Sequence, residues 1–424
     1  MFFNTLQEWL DWQENYHPRF IDLGLDRVAG VHRALISNNA KLVTITVAGT
    51  NGKGSCIAFL EAILTAAGYR VGSYTSPHII NYNERIKIAG ELASDEQICQ
   101  AFERIESVRN DISLSYFEFG TLAALDIFSH AQLDVQLLEV GLGGRLDAVN
   151  IIDPDVAIIT SICIDHCDWL GATREAIGRE KAGIYRSGIP AVIGDPNPPE
   201  SLLQCAEASN VPRYCIGQEF SYEQFENSWA WLGNGASLRD LPAPALPGDH
   251  QYTNAATVIQ ALQLIDKLLP VSETAIKQGL SSVKLCGRFQ YIDGEVPILL
   301  DVAHNPLAAR KLADYLKKSF ADKRIHAVFS MMKDKDLPGV IETMKPVVFD
   351  WYLSPLKNPR TADLEVVKSD FSACAVENVN SGFSDFAETL LACQKNAEAG
   401  DLIVIFGSFF LVSEYLVNCQ MGVG

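Results

Sequence analysis

A glycine-rich turn that contains one lysine, at residues 49–55, is the part of this sequence best suited to chemistry. Its residues, GTNGKGS, follow an apolar run and precede an amphipathic helical pattern that ends at Gly68. Backbone N–H groups at a strand-to-helix turn point towards an anion, and the helix dipole favours negative charge. Lys53 adds a full positive charge to this position. The turn therefore predicts a phosphate site and the use of a nucleotide.

The turn departs from the usual P-loop pattern, which has glycine five residues before the Gly-Lys pair and Ser or Thr directly after the lysine. Val47 occupies the first of these positions, Gly54 follows Lys53, and Ser55 comes one residue late. A tight turn with a solvent-facing lysine is the plainer alternative. The position of the turn at the start of a helix favours phosphate, but it leaves a magnesium-binding role for Ser55 open.

Polar residues accompany three further apolar runs that predict strands. Residues 71–75 lead into Ser76, residues 135–140 include Glu139, and residues 156–164 lead into Asp165 and His166. Open parallel sheets place their ligands at the carboxyl ends of the strands, so a hydroxyl, a carboxylate and an imidazole there suit a magnesium ion beside phosphates. Imidazole is not a favoured ligand of magnesium. On spacing alone, three unrelated polar residues are an equally good interpretation.

A second group of polar residues lies in the C-terminal part of the chain. Asp301, His304 and Asn305 fall between a predicted strand and a helix that begins at Pro306. The simpler interpretation is that Asn305 caps the helix and that Asp301 stabilises the turn. The functional interpretation is that these side chains reach a nucleotide or substrate, and that Arg288 touches phosphates when two domains close.

Apolar runs alternate with helical patterns through most of the chain, which predicts an α/β fold with a mostly parallel sheet and helices on its faces. A helix is predicted from Asp95, with Ser94 and Gln97 as its capping box. Further helices are predicted at residues 117–130, 174–185, 254–269 and 306–320, and short antiparallel strands at residues 220–246. Later strands are predicted at residues 298–302, 325–329, 347–353 and 402–406. A boundary at Gly287 and Arg288 gives predicted domains of residues 1–287 and 288–424.

Size and composition limit the classes of function. A chain of 424 residues is too long for one ordinary core, so two domains are expected. The net charge of −18 argues against nucleic acid or an anionic membrane as the main partner. Ten cysteines without disulfide spacing, no bilayer-spanning apolar run and no N-terminal signal region predict a cytoplasmic protein. Cys163, His166 and Cys167 lack a second ligand pair, so structural zinc is not expected.

Six groups of residues, in their order along the chain, resemble the folylpolyglutamate synthase family within the wider Mur-ligase-like group. They are GTNGKGS at residues 49–55, TSPH with NERI at residues 75–86, LEVGLGGRLD at residues 138–147, DH at residues 165–166, EKAGI at residues 180–184 and DVAHNP at residues 301–306. The segment DLGLDR, residues 22–27, is similar to the bifunctional bacterial form, which is also a dihydrofolate synthase. One departure is Ala48, which stands where Thr is common.

The resemblance implies a P-loop Mur-ligase-like N-terminal ATPase domain with a mostly parallel sheet and a smaller Rossmann-like α/β C-terminal domain, with substrates in the cleft between them. The residues implied to bind ATP are Asn51, Gly52, Lys53, Gly54, Ser55, Asn254, Arg288 and Asp301. Those implied to bind magnesium are Ser76, Glu139, His166 and Lys181, and those implied to be catalytic are Lys53, Lys181 and His304. The pterin-substrate site would be formed by Leu23, Gly24, Asp26, Arg27, Tyr116, Phe117, Glu118, Leu146, Asp147 and Ala148.

The resemblance further implies that Lys181 carries a carbamate, formed with carbon dioxide, which helps to bind a second magnesium ion. Judged from the residues alone, Lys181 would be a lysine on a helix surface in an ordinary ion pair. The implied reaction joins L-glutamate to dihydropteroate and to the glutamate tail of folates, through an acyl phosphate formed with ATP. Small molecules are thus the expected partners, and the protein is expected to be a monomer.

Three alternative functions share some of these features. A monofunctional folylpolyglutamate synthase would lack the reaction with dihydropteroate. A Mur-type ligase that extends a cell-wall nucleotide precursor would need a further UDP-binding domain, and the ATP motif begins too early, at residue 49, to leave room for one. A nucleotide-dependent binding switch would need the turn and the magnesium ligands, but no acceptor chemistry.

Overall fold

The computed structural model describes residues 3–19, 21–36 and 42–421 of the chain. Two compact units are present: Met1–Ala245 with Gln251–Lys284, and Leu246–His250 with Leu285–Gly424. The domain ranges predicted from the sequence differ from these units at residues 246–250 and 285–287. Among the described residues, no helix is both long enough and apolar enough to cross a membrane.

An eight-stranded sheet forms the centre of the first unit, in the order β4-β3-β2-β5-β1-β6-β7-β8. Its strands are β1 (Val43–Ala48), β2 (Val71–Tyr74), β3 (Ile86–Ile88), β4 (Glu91–Leu92), β5 (Val135–Glu139), β6 (Val156–Ile159), β7 (Ala191–Ile193) and β8 (Arg213–Cys215). All neighbours pair in parallel except β2 with β3 and β3 with β4. The central strands are apolar and buried, as expected for a sheet covered by helices on both faces.

Ten α-helices accompany this sheet in the described chain. They are α1 (Leu6–Tyr16), α2 (Asp26–Leu35), α3 (Lys53–Ala66), α4 (Asp95–Val108), α5 (Tyr116–His130), α6 (Cys167–Leu170), α7 (Arg174–Lys181), α8 (Glu200–Ala208), α9 (His250–Leu264) and α10 (Glu273–Ser282). Short 3-10 helices lie at Tyr82–Arg85, Ala148–Ile151 and Ala182–Ile184. A separate antiparallel sheet contains β9 (Phe220–Gln224), β10 (Trp229–Gly233) and β11 (Ala236–Leu241), in the region where short antiparallel strands are predicted.

The second unit contains a six-stranded sheet in the order β12-β13-β17-β14-β15-β16. Its strands are β12 (Gln290–Ile292), β13 (Ile298–Asp301), β14 (Ile325–Phe329), β15 (Asp350–Leu353), β16 (Val379–Asn380) and β17 (Leu402–Phe406), and only β12 runs antiparallel to its neighbour. Its helices are α11 (Pro306–Ser319), α12 (Leu337–Met344), α13 (Leu364–Ala373), α14 (Phe386–Asn396) and α15 (Phe409–Met421). The predicted α/β class with a mostly parallel main sheet is confirmed.

Four predicted elements differ from the observed ones. Strand β6 ends at Ile159 instead of residue 164, because Ser161 and Cys163 bond to Thr50 of the glycine-rich turn instead of to a neighbouring strand. Helix α7 ends at Lys181, and a 3-10 turn follows it. Helix α9 begins earlier and ends earlier than predicted, and β15 begins three residues later than residue 347.

Helix α3 is largely buried, so the prediction of an amphipathic helix is wrong. Its residues from Ser55 to Leu60 are all buried. The reason is the close approach of α10: a Cβ atom added at Gly279 would lie 2.6 Å from the backbone nitrogen of Ile63. A glycine in α10 therefore lets a second helix cover the face of α3 that would otherwise meet solvent.

Candidate active site in the first unit

The glycine-rich turn connects β1 to α3, as predicted. Gly52 precedes the first helical residue, Lys53, and adopts a left-handed conformation with φ 90°. Gly49 has φ 147°, and a Cβ atom there would lie 1.7 Å from Oγ1 of Thr160. Both positions therefore require glycine, because each has a positive φ and each brings the backbone close to a neighbouring side chain.

Residues 160–163, which follow β6, hold this turn in place. The backbone N–H of Thr50 donates to the carbonyl of Ser161 over 2.8 Å. The Thr50 hydroxyl accepts from the backbone N–H of Cys163 (3.1 Å), and the Ser161 hydroxyl donates to the carbonyl of Asn51 (3.2 Å). Because several hydrogen bonds act on two consecutive residues, the turn is fixed before any ligand binds.

Two lysine side chains converge on one carbonyl of the turn. The Lys53 ammonium donates to the carbonyls of Gly49 and Thr50, each over 3.2 Å. The Lys181 Nζ donates to the same Gly49 carbonyl over 2.8 Å. Burial, and then the charge of Lys53, lower the pKa of Lys181 to about 7. A sizeable fraction of Lys181 side chains is therefore neutral and nucleophilic near pH 7, in contrast to the surface lysine considered from the sequence.

Close backbone packing carries Lys181 to this position. A Cβ atom added at Gly183 would lie 2.2 Å from Cα of Arg145, and one at Gly144 would lie 3.0 Å from the Lys181 carbonyl oxygen. The backbone N–H of Arg145 donates to the carbonyl of Glu180 over 2.8 Å. The glycine run at residues 141–144, which follows β5, thus brings the segment of Lys181 against the carboxyl end of that strand.

Three of the four predicted magnesium residues, Ser76, Glu139 and His166, lie at or beyond the carboxyl ends of strands in the first unit, whereas Lys181 ends helix α7. Glu139 ends β5 and is 5% exposed, and its Oε2 accepts from the backbone N–H of Ser76 over 3.3 Å. His166 has φ 52° and stands immediately before α6. Ser76 and Glu139 are therefore in contact, and His166 lies three residues beyond Cys163, which bonds to Thr50.

The chemistry of these donors fits a magnesium ion shared with phosphates. In the described part of the chain, no group of three or more His, Cys, Asp and Glu side chains is arranged to hold a metal. Magnesium commonly uses one or two carboxylates and takes its other oxygens from phosphate and water. A carboxylate beside a serine, next to an anion-binding turn, meets that requirement.

Ser55 and Asn254 lie against the turn from two sides. Ser55 is buried, and its hydroxyl accepts from the Nε2 of Gln251 over 3.4 Å. A Cβ atom at Gly52 would lie 2.8 Å from the Oδ1 of Asn254, and Asn254 Nδ2 donates to Gln251 over 2.9 Å. Helix α9, which carries Gln251 and Asn254, therefore packs directly against the glycine-rich turn.

Three segments predicted to bind the pterin substrate are in contact. The Arg27 guanidinium pairs with Glu118, at the start of α5, over 3.1 Å. The backbone N–H of Gly24 donates to the carbonyl of Leu146 over 3.2 Å. Phe117 packs on the glycine run: a Cβ atom added at Gly141 would lie 2.6 Å from the Phe117 ring. The predicted segments therefore lie together in the first unit.

Asp147 is a buried carboxyl within these segments. Burial raises its pKa to about 6, although hydrogen bonds from the backbone N–H groups of Leu142 (2.8 Å) and Val149 (3.0 Å), and then the charge of Lys53, oppose the rise. The charge of Lys53 is thus one of the influences that hold the pKa of Asp147 below the value that burial alone would give.

Arg85 and His78 belong to the TSPH and NERI groups but were given no role from the sequence. Arg85 is 9% exposed and its guanidinium lies over the rings of Tyr82 and Tyr116, at 5.4 and 5.6 Å. Its Nε donates to Nδ1 of His78 over 2.9 Å, and burial, then the charge of Arg85, lower the pKa of His78 to about 4. These partners are neutral, so positive charge is available beside Tyr116. An arginine that directly precedes the run Ile86–Ile88 was the available signal.

In the second unit, Asp301 ends β13 and lies beside Arg288. Its carboxyl accepts from the backbone N–H groups of Ala303 (2.8 Å) and Phe289 (3.1 Å), while burial raises its pKa to about 6. The ring nitrogen Nδ1 of His304 lies 2.8 Å from the Val302 carbonyl oxygen.

Asn305 caps α11 by accepting from the N–H of Ala308 over 3.0 Å. The simpler interpretation of Asn305, as a helix cap, is therefore confirmed, and so is the stabilising role of Asp301 in the turn.

Comparison with known families defines the class of protein. Residues 47–262 match the Mur ligase middle domain, and residues 287–409 match the Mur ligase, glutamate ligase domain. The first match contains the phosphate turn and the second contains Asp301 and His304. The fold is therefore that of an ATP-dependent ligase of the Mur type.

Individual relatives show which family of Mur-type ligases the chain resembles. The dihydrofolate synthase/folylpolyglutamate synthase of Escherichia coli strain K12 is 44% identical over 415 residues, which cover 97% of this chain and 95% of that protein. The Bacillus subtilis strain 168 relative of the same name is 30% identical over 437 residues, with coverage of 97% and 98%. The structure of E. coli FolC in complex with DHPP and ADP has a TM-score of 0.94 at 43% identity and 99% coverage of both chains. The chain belongs to the dihydrofolate synthase/folylpolyglutamate synthase family.

A second similar structure contains bound ligands of the kind predicted. It is a bifunctional folylpolyglutamate synthase/dihydrofolate synthase with Mn, AMPPNP and L-glutamate bound, with a TM-score of 0.91, 42% identity and 98% coverage of both chains. The predicted family, fold, ligase class and use of ATP with a divalent metal are therefore confirmed. The roles of individual residues and the carbamate on Lys181 stay predictions.

Proposed function

We propose that this chain adds L-glutamate to dihydropteroate, giving dihydrofolate, and also to the glutamate tail of tetrahydrofolates. The observation that carries the proposal is the combination, within one unit, of an anion-binding turn, a buried lysine 2.8 Å from the Gly49 carbonyl and three predicted substrate segments that lie together. Relatives named for both activities, at 44% and 41% identity, support the bifunctional assignment.

The chemistry explains why ATP is needed. A carboxylate is a poor electrophile, because its charge repels nucleophiles and oxide is a poor leaving group. An oxygen of the acceptor carboxylate attacks the γ-phosphorus of ATP, ADP leaves, and an acyl phosphate forms. The amine of L-glutamate then attacks the acyl carbon, phosphate leaves with the C–O bonding pair, and the nitrogen loses a proton to give the amide.

In this proposal the phosphate turn supplies positioning and charge neutralisation. The ammonium of Lys53 already bonds to two carbonyls of its own turn, so the phosphates of ATP must compete with those carbonyls for the same cation. Asn51, Gly52, Gly54 and Ser55 hold the phosphates through the backbone N–H groups at the start of α3. Asn254 packs on Gly52 and limits the shape of this site.

The proposed magnesium residues are Ser76, Glu139, His166 and Lys181. A bound magnesium ion would neutralise charge on the phosphates during transfer. Only a neutral amine reacts with carbon dioxide, which forms an N–C bond and releases a proton, and a pKa of about 7 makes that form of Lys181 available. The resulting carbamate would give the buried site a second carboxylate-like oxygen donor besides Glu139.

The acceptor substrate is proposed to bind where the three segments meet. The residues assigned to this site are Leu23, Gly24, Asp26, Arg27, Tyr116, Phe117, Glu118, Leu146, Asp147 and Ala148. The Arg27–Glu118 pair ties the segment before α2 to α5, and Arg85 provides positive charge beside Tyr116 for an anionic acceptor.

Roles in the second unit belong to the same proposal. Arg288 and Asp301 are assigned to ATP, and His304 is assigned a catalytic role. Burial of Asp301 next to Arg288 supports a structured site at the end of β13. The assignment of His304 is supported by its location three residues after Asp301, in a match to the Mur ligase, glutamate ligase domain.

A cytoplasmic location and a monomeric state complete the proposal. All described cysteines are free thiols, which suits a reducing compartment. The net charge of −18 supports small molecules over nucleic acid as partners. Sedimentation equilibrium of the purified chain tests the monomer, since a concentration-dependent mass would contradict it.

The decisive assay combines purified protein with ATP, Mg²⁺, L-glutamate and either dihydropteroate or tetrahydrofolate, in parallel reactions. Both acceptors should give a glutamylated product and an equal amount of phosphate. A product from tetrahydrofolate alone would favour the monofunctional synthase. Hydrolysis of ATP that needs neither glutamate nor acceptor would favour the nucleotide-dependent switch and overturn the proposal.

A further inference from the structure

Residues 160–163, which hold the phosphate turn, are themselves held by an ion pair between Arg174 and Asp195. The peptide groups on both sides of Ile162 are bonded to side chains: its N–H donates to Asp195 Oδ2 over 2.7 Å, and its carbonyl accepts from Arg174 Nε over 2.9 Å. Arg174 also donates to the same oxygen of Asp195 over 3.0 Å. Ile162 therefore has both of its backbone polar groups fixed by one ion pair.

Further hydrogen bonds to Asn197 fix both side chains of the pair. Asp195 is 5% exposed, and its second oxygen accepts from the backbone N–H of Asn197 over 2.9 Å. Arg174 also donates to the Asn197 carbonyl over 2.7 Å. Asp195 follows the buried strand β7, and Arg174 begins α7, so the pair connects the sheet to that helix.

The pair lies next to the residues that fix the turn, and its helix reaches the turn a second time. Ser161 and Cys163, on either side of Ile162, bond to Thr50. Helix α7 begins at Arg174 and ends at Lys181, whose amine bonds to Gly49. One helix is therefore linked to the turn at both of its ends, directly at one and through Ile162 at the other.

From this geometry we infer that Arg174 and Asp195 are positioning residues for the nucleotide and metal site. They act through the Ile162 peptide, which sets the segment that holds Thr50 and leads to His166. This inference rests on the proposed function for the location of the phosphates. It adds two residues that contact the ligand only indirectly and that lie outside every motif singled out in the sequence.

A comparison of two buried ion pairs in the same unit tests the inference. Asp195→Asn removes the charge of one pair. Asp126→Asn does the same to the matched pair of Asp126 with Arg104 (2.9 Å), which joins α5 to α4 away from the turn. Dissociation constants for Mg-ADP and thermal midpoints are measured for both variants and the wild type, together with KM for ATP and for tetrahydrofolate.

The inference requires a specific effect of Asp195→Asn. The dissociation constant for Mg-ADP and the KM for ATP should rise about tenfold, a usual size for residues that orient ligand-binding groups. The KM for tetrahydrofolate should stay within about twofold. Asp126→Asn should lower the thermal midpoint to a similar degree but leave the affinity for Mg-ADP unchanged.

Two results would overturn the inference in distinguishable ways. If the wild type and Asp126→Asn bind Mg-ADP and Asp195→Asn binds it equally well, the positioning role is wrong and the proposed function stands. If the wild type does not bind Mg-ADP, the proposed function is wrong and the inference fails with it. Should Asp195→Asn not fold, Arg174→Lys takes its place, because it keeps the charge but cannot donate to Ile162 and Asn197 together.

Discussion

At the scale of single residues, the side chain of Lys53 folds back and bonds to the turn that carries it. Its ammonium bonds only to carbonyl oxygens of Gly49 and Thr50. Lys53→Ala should lower the ligation rate about 100-fold or more, because one preorganised cation at the reacting phosphates is lost. The free energy of unfolding should change by about 1 kcal/mol or less, because the loss of two hydrogen bonds to carbonyls is offset by relief of the repulsion between Lys53 and Lys181. Product formation and urea unfolding of the same preparations measure the two effects.

A matched control for this prediction is Lys318→Ala. Lys318 is an exposed lysine that pairs with Asp249 over 2.8 Å. It should leave both the rate and the stability close to those of the wild type. Loss of cooperative unfolding in Lys53→Ala would show that the turn lysine is structural instead of functional.

Lys181 tests the carbamate directly. Lys181→Ala should remove most of the activity, and small carboxylates such as acetate should restore part of it by supplying the missing oxygens. Acetamide has nearly the same shape without the charge and should restore none. In the wild type, ¹³C-bicarbonate should give a carbamate signal in the NMR spectrum that is absent from the variant. Equal rescue by acetate and acetamide would contradict a carboxylate-like role.

At the scale of elements, the backbone contact between Gly183 and Arg145 decides where Lys181 lies. A Cβ atom at Gly183 would lie 2.2 Å from Cα of Arg145, so Gly183→Ala must push the two segments apart. We expect a loss of about 2–3 kcal/mol in the free energy of unfolding. Activity should fall further than the folded fraction does, because Lys181 moves with the segment. Denaturant unfolding and the rate per folded molecule separate these effects.

Gly30→Ala in α2 is the control for that prediction. The added Cβ atom would lie 3.7 Å from the nearest side-chain atom of Ile112, an ordinary contact. Alanine also favours a helix over glycine by about 1 kcal/mol, so this substitution should be neutral or stabilising. If both substitutions have the same effect, close packing at Gly183 is not what positions Lys181.

The same elements show which parts of the structure could be predicted from the sequence. The strand, glycine turn and helix around Lys53 were predictable because their signals are local. The helix at Ala182–Ile184 and the burial of Lys181 were not, because they depend on Gly183 meeting Arg145, far away in sequence. The early end of β6 has a similar cause, since the residues after Ile159 bond to the glycine turn. Long-range backbone contacts, which leave no periodic pattern, set these details.

At the scale of the whole molecule, the two units contain different electrostatic environments, although the chain as a whole is acidic. The first unit gathers Lys53, Lys181 and Arg85 where anionic ligands are proposed to bind. The second unit buries a histidine between two acids: His326 Nδ1 lies 2.6 Å from Asp350 and its Nε2 lies 2.9 Å from Asp401. A net charge of −18 reveals neither arrangement, because charge totals carry no information about position.

The buried histidine makes the stability of the protein depend on pH. Burial alone would lower the pKa of His326, but hydrogen bonds to Asp350 and Asp401 outweigh it and raise that pKa. Burial would likewise raise the pKa of Asp401, yet bonds from the Glu398 backbone, Arg324 and His326 hold it at about 2. The stabilisation from His326 is complete below its unfolded pKa, about 6.5, and is lost as pH rises through its folded pKa. The stabilisation from Asp401 is lost only as pH falls towards about 2.

His326→Gln should therefore be most harmful at mildly acidic pH. Near pH 5 we expect a loss of about 3 kcal/mol, because two carboxylates are left without the cation between them. The difference from the wild type should shrink as pH rises above the folded pKa of His326, where the wild-type ring is neutral. Unfolding measured from pH 5 to pH 9 gives this difference directly. The exposed His130 is the control, since His130→Gln should change the free energy of unfolding only slightly. A loss for His326→Gln that stays constant across this range would mean that packing, instead of charge, holds the histidine in place.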